Sequence, residues 1–350
     1  MLIYSFLIES CVIFGFLLDK AINKKRRDYF IVGLIPFLFL FLVSGIRYGV
    51  GKDFNDTYVY TFNLVLNNAQ NIRIDSMILW LDKILVFLNA NVQSFFVITS
   101  FIVNWYVYKS IMNQSKSKML SYYIYICGTF YFFSMNGIRQ AIVIAIFYYT
   151  FRFIQEKNLK KYLIYNLIGC LIHSSAVLFI PLYFVLNIKI RTSVKIISLI
   201  VISLSSTFIM PSIVNILLQT KHAMYLTNGA YSSLESVNLS TILNAFLFLI
   251  YEFAIDKDTE DRIYANCHYM GVIVSLFLTS LPLAMRVFMA FRYVEFLSIP
   301  NLISKLKVTA CTKKILIGLI FIFYFIYFIH GVYIKNGNDV LPYKTFFSIN

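Results

Sequence analysis

Arginine suits phosphate because its planar fork of donors meets phosphate oxygens in pairs, which a lysine ammonium does not. Four arginines stand out in this chain by position: Arg47, Arg139, Arg286 and Arg292. Most other cations sit in short runs between apolar segments, such as "KKRR" at Lys24 to Arg27 and "KNLKK" at Lys157 to Lys161. The four lie at the other ends of those segments, close to small or polar residues. On one reading each simply snorkels its head to a membrane–water interface. On the other they gather around an anion, and a lipid diphosphate near the outer leaflet is the anion such a cluster suits.

Groups able to move a proton accompany them. "RYGVGKDFNDTYVYTF", Arg47 to Phe62, sets Asp53 and Asp56 just after Gly49 and Gly51, which allow a tight bend. Asp53 is either an ion-pair partner for Arg47 or a base for an attacking hydroxyl. "SMNGIRQAIVIAI", Ser134 to Ile146, predicts a helix opening at Asn136 and Gly137, with Arg139 and Gln140 in its first turns. Its unpaired amides favour an anion, although an ordinary helix cap is the plainer reading. "IHSSAVLFIP", Ile172 to Pro181, places His173 in an apolar run, followed by Ser174 and Ser175. A lone histidine there is commonly a satisfied core residue, yet ionisable groups at membrane depth are costly and tend to be functional. His222, His268 and His330 form no HxxxH or HExxH spacing, so metal catalysis has no motif and no cofactor is expected.

Such residues need a frame, and composition says which. The 350 residues are 59% hydrophobic and only 13% charged, whereas soluble domains have about a quarter of their residues charged. Apolar stretches of about 18 residues, long enough for a bilayer core of about 30 Å, recur from end to end. The expected class is all-α: a single multi-span membrane domain over 1–350. The net charge of +15 fits Lys and Arg collecting in cytoplasmic loops better than a nucleic-acid surface. Five cysteines without CxxC spacing give no disulfide framework or zinc site.

The basic loops predict about twelve spans, with the N- and C-termini outside. Met119 to Ser134, Lys195 to Met210 and Met285 to Ile303 are each read as one span. Tyr162 to Pro181 is read as two short helices meeting near His173. Two long external loops, Arg47 to Val92 and Pro211 to Ser236, are expected to carry membrane-surface helices. The first includes Ile74 to Leu88, an apolar segment bearing Asp75, Asp82 and Lys83, read as interfacial or re-entrant.

In this order the motifs resemble the EpsG family of bacterial exopolysaccharide polymerases, which is Wzy-like. Arg47, Gly51, Asp53 and Tyr58 match an Arg-x-x-x-Gly-x-Asp-x-x-x-x-Tyr loop. Asn136, Arg139 and Gln140 match an Asn-x-x-Arg-Gln helix start, and His173 with Ser175 matches His-x-Ser. "MRVFMAFRYVEF", carrying Arg286 and Arg292, and "LPYKTFF" complete the pattern. Lys52 departs from it, standing where the family has a small polar residue.

The resemblance implies a polymerase of the bacterial cytoplasmic membrane, serving exopolysaccharide, capsule or O-antigen synthesis. Its donor and acceptor are oligosaccharides linked to undecaprenyl diphosphate, and its partners are the lipid bilayer, a flippase and a chain-length regulator. Asp53 or His173 would then be the base. Arg47, Tyr58, Asn136, Arg139, Gln140, Ser175, Arg286 and Arg292 would bind the lipid diphosphate or glycan. A flippase of lipid-linked sugars is the alternative, but it predicts charges on both faces and pseudo-repeated halves. A membrane acyltransferase would need an inward-facing histidine or aspartate motif. The sequence has neither pattern.

Overall fold

The computed structural model describes residues 2–24, 29–72, 74–219, 239–255, 258–276 and 282–348. Among these residues regular structure is helical and there is no β-strand. The helices are α1 (Leu2–Asn23), α2 (Tyr29–Gly45), α3 (Tyr60–Leu66), α4 (Ser76–Phe87) and α5 (Val92–Gln114). Next come α6 (Lys118–Cys127), α7 (Phe130–Phe133), α8 (Ile138–Gln155), α9 (Leu159–Ile172), α10 (Leu182–Val185) and α11 (Thr192–Leu218). The last are α12 (Leu239–Phe253), α13 (Thr259–Leu276), α14 (Pro282–Arg292), α15 (Glu295–Lys305) and α16 (Ala310–Phe328). Three helical stretches, Leu2–Asn23, Val92–Gln114 and Ala310–Ile334, are long and apolar enough to cross a membrane.

The chain forms two compact units, Met1–Ile180 with Glu295–Asn350, and Pro181–Val294. In the first, α8 lies deepest. Its sequence is apolar on every side and nearly all its residues are buried, as expected of a helix surrounded by others. It packs against α5 and α9, while α1 packs against α2 and α6. The α1–α6 contact is fixed by a carboxylate: Asp19 Oδ1 accepts the Lys118 amide at 2.8 Å, satisfying a first-turn donor of α6. In the second unit α12 packs on α13 and α13 on α14. Lys195 and Glu252 form a buried pair at 2.5 Å there.

Several expected spans have different boundaries. Met119 to Ser134 is not one helix, because Thr129 takes φ +72° and separates α6 from α7. Such a left-handed residue cannot continue a right-handed helix. Met285 to Ile303 is likewise split between α14 and α15. The segment from Lys195 extends through Pro211 to Leu218, so that proline does not end its helix. A proline removes one backbone donor, and the remaining ladder carries the helix on. The rest of the expected surface helix, beyond residue 219, lies outside the described residues. Two other segments singled out in the sequence contain observed helical elements. Helix α9 stops at Ile172 and a 3₁₀ turn, Ser174–Phe179, starts after His173. The segment Ile74 to Leu88 contains α4, whose 12 residues reach about 18 Å, short of a bilayer core.

Candidate active site

The site is built where four elements of the first unit end. A π-helical turn, Phe54–Val59, carries Tyr58; α4 begins after Asp75; α8 begins just before Arg139; and α9 ends before His173. Each position follows from local chemistry. Gly137 precedes α8 and puts Arg139 in its first turn. His173 has extended backbone, φ −156° and ψ 132°, and so ends the helix.

Asp75 joins these parts. Arg139 Nη1 donates to Asp75 Oδ2 at 2.5 Å, and His173 Nδ1 lies 3.1 Å from the same oxygen. The three side chains are 22%, 27% and 19% exposed for Asp75, Arg139 and His173, so the cluster is sheltered but reachable. Aspartate before a helix normally caps it by accepting first-turn amides. Asp75 occupies that position for α4 and makes no side-chain cap bond. Its carboxylate serves the arginine and histidine instead. Burial pushes the Asp75 carboxyl up, but the His173 hydrogen bond and the Arg139 charge outweigh it, leaving it below the usual carboxylate range.

Tyr58 forms the neighbouring wall. Its ring stacks on Phe95 at 5.1 Å, and its hydroxyl donates weakly to the Asn136 carbonyl at 3.5 Å. Burial pushes the hydroxyl up to about 12; nearby Arg139 pulls it down and Asp53 adds to the rise. Asp53 thus lies close enough to act on Tyr58, at the start of the same turn.

Arg47 behaves differently from the expectation of a cation facing an external cavity. It is 1% exposed. Its guanidinium donates to the Ser44 carbonyl, to Ser100 Oγ at 3.3 Å and to the Met135 carbonyl at 3.2 Å, and covers the Phe96 ring at 5.0 Å. None of these partners is a carboxylate, so Asp53 is not its ion-pair partner. Asn136 is also engaged: Oδ1 accepts the Lys52 amide at 2.7 Å, and Nδ2 donates to Asn338 at 2.8 and 2.9 Å. Gln140 is buried in α8. Ser175 Oγ is buried without a hydrogen-bond partner in the 3₁₀ turn. Arg292 belongs to the second unit, buried with its guanidinium over Tyr293 at 5.0 Å. Arg286 lies in α14, also in that unit, and its side chain is outside the described residues.

The structure therefore brings Tyr58, Arg139 and His173 together, ties Arg47 and Asn136 into the supporting shell, and adds Asp75, which the motif reading did not select. Its sequence signal was a carboxylate opening an apolar segment within the Arg47 to Val92 stretch. Chemically, the cluster offers a guanidinium for an anion, an imidazole for a proton and a carboxylate that orients both. Among the described residues no three His, Cys, Asp or Glu side chains gather closely enough to share a metal ion.

No curated protein and no solved structure matches the chain. Against family models it matches the EpsG family over residues 30–345, a span containing every residue of this cluster. The chain belongs to the EpsG family.

Proposed function

We propose that this protein is a polysaccharide polymerase that lengthens a glycan from undecaprenyl-diphosphate-linked repeat units on the external face of the cytoplasmic membrane. Family membership supports a polymerase of polysaccharides. The observation that carries the chemistry is the pairing of Arg139 and His173 on one partly exposed Asp75 carboxylate oxygen.

In this reaction an acceptor hydroxyl attacks the anomeric carbon of the donor sugar. Its O–H bond gives up the proton to His173 Nε2 as the new glycosidic bond forms. The bond between the anomeric carbon and the diphosphate oxygen breaks, and its electron pair leaves with undecaprenyl diphosphate. Arg139 offsets the charge growing there, a role for which paired guanidinium donors in a dry site are effective. Tyr58, kept protonated by burial, supplies a further donor beside Arg139. The geometry favours His173 over Asp53 as base because His173 is held by an orienting carboxylate. Asp53, at the start of the turn that carries Tyr58, is the alternative base. Arg47 and Asn136 hold the loop that carries Tyr58.

The test is elongation by purified protein given lipid-linked repeat units, without an acyl donor or ion gradient. Lengthened glycan is expected from wild type. Single-turnover rates are expected to fall by roughly 10²–10⁴-fold in His173→Gln and by less in Asp53→Asn. Movement of repeat units across vesicles without lengthening overturns the proposal, and the larger loss in Asp53→Asn reassigns the base.

A further inference from the structure

The Asp75 carboxylate accepts both of its side-chain hydrogen bonds at one oxygen, Oδ2, from two groups whose tasks come at different moments. A carboxylate is a good partner for a waiting guanidinium, but a diphosphate carries more charge and offers its oxygens in pairs. Among the described residues, the charged and titratable groups gathered here are Asp75 from the start of α4, Arg139 from α8, His173 from the end of α9, Tyr58 beside Arg139, and Asp53 at the start of the turn that carries Tyr58. Arg139 is the one cation among them that reaches Asp75.

We propose that Asp75 is a positioning residue that passes from Arg139 to His173 when the donor arrives. This rests on the polymerase reading above. Before binding, the carboxylate neutralises Arg139 and accepts a hydrogen bond from His173 Nδ1–H. The arriving diphosphate takes the guanidinium. Asp75 is then left to His173 alone, holding the ring with Nε2 bare and stabilising the imidazolium that forms when Nε2 takes the acceptor's proton. Donor binding and acceptor activation are thereby coupled through one oxygen atom. The arrangement also accounts for the uncapped start of α4: the side chain that would close that helix is committed elsewhere.

Three measurements on the full-length protein in detergent test it. The first is binding of undecaprenyl diphosphate, the leaving group, to wild type and Asp75→Asn. Affinity is expected to stay equal or rise, because no carboxylate competes for Arg139; a tenfold loss overturns the proposal. The second is turnover against pH with lipid-linked repeat units. Asp75→Asn is expected to lose about 10²-fold in kcat, with the acid limb of its profile moved to lower pH. Asp75→Glu, too long to span both partners in the same geometry, guards against misfolding of the first variant. It is expected to lose at least tenfold in kcat with affinity within threefold, and unchanged turnover overturns the proposal.

The third measurement does not depend on activity. In ¹⁵N-histidine spectra at pH 8.5, with His173 assigned by His173→Gln, wild type is expected to show the Nδ1–H tautomer and Asp75→Asn a mixture. The same tautomer in both overturns the role of Asp75. If wild type binds no undecaprenyl diphosphate and lengthens no glycan, the polymerase reading fails, while the tautomer still decides whether Asp75 orients the ring.

Discussion

The Lys52 amide donates to Asn136 Oδ1 at 2.7 Å, bolting the Arg47–Phe62 loop to the entrance of α8. Asn136 uses its other end, Nδ2, to hold the Asn338 carbonyl and side chain at 2.8 and 2.9 Å. One side chain thus joins three segments far apart in sequence. Asn136→Ala should leave the Lys52 donor without its partner and cost about 1–3 kcal/mol. In a double-mutant cycle of thermal stability, Asn136→Ala and Asn338→Ala should couple by about 0.5–3 kcal/mol. Strict additivity would remove Asn136 from this role.

Gly51 makes that bond possible. Its φ is +102°, and a Cβ there would stand 2.7 Å from Asn136 Oδ1 and 2.9 Å from the Met135 carbonyl. Gly51→Ala therefore combines backbone strain with a collision against two polar atoms. A loss of about 1–3 kcal/mol is expected from the strain alone. An unchanged melting temperature in detergent would show that the loop has another way to close.

Arg47→Lys should damage stability rather than donor binding. A lysine ammonium keeps the charge but cannot reproduce the fork that reaches Ser44, Ser100 and Met135 together. The expected loss is about 1.5–3 kcal/mol, the scale for a hydrogen bond to a charged group. Thermal inactivation and undecaprenyl diphosphate affinity of the folded protein separate the two roles. A selective fall in affinity would return Arg47 to the binding surface.

Asp82 predicts a pH dependence. It is 1% exposed, Oδ1 has no hydrogen-bond partner, and burial pushes its carboxyl up to about 7. An unfolded aspartate ionises near 3.9, so between roughly pH 4 and 7 the folded protein holds a proton that the unfolded chain has lost. This carboxyl therefore makes the fold less stable as pH rises through that window. Asp82→Asn should flatten that part of the stability profile. An identical slope in the variant would mean that Asp82 is ionised in the folded protein.

The external orientation of the site is tested at Asn55, which is exposed in the turn before Tyr58. Asn55→Cys, in a background without the five native cysteines, should react with impermeant thiol reagents in intact cells. Reaction only after permeabilisation would place the loop in the cytoplasm and remove the site from its substrate.

The sequence made some of this legible and concealed the rest for physical reasons. His173 could be found because a polar His-Ser-Ser step interrupts an apolar run, and the helix breaks there. Arg139 could be found because Asn136 and Gly137 mark a helix start. Both are local signals. Asp75 carries a local signal for a different job, since an aspartate before an apolar helix reads as a cap; its partners lie 64 and 98 residues away. Arg47 misleads in the opposite direction. Its loop resembles a rim of charge, but nothing local reveals that carbonyls of Ser44 and Met135 would enclose the guanidinium. The breaks at Thr129 and between α14 and α15 were hidden because apolar composition persists through them.

Residues 336–346 add a temporal consequence. Tyr4 donates to the Val340 carbonyl across 336 positions, the Gly51 and Tyr48 amides donate to Asp339 and Lys344, and the Phe346 amide donates to Ile46. Closing so long a loop in the chain is entropically slow to be rewarded. The loop bearing Tyr58 leaves the ribosome early, yet must wait for these late residues before its backbone donors find acceptors. During synthesis the growing chain thus holds a partly assembled cluster, and closure by the trailing segment is the step that completes it.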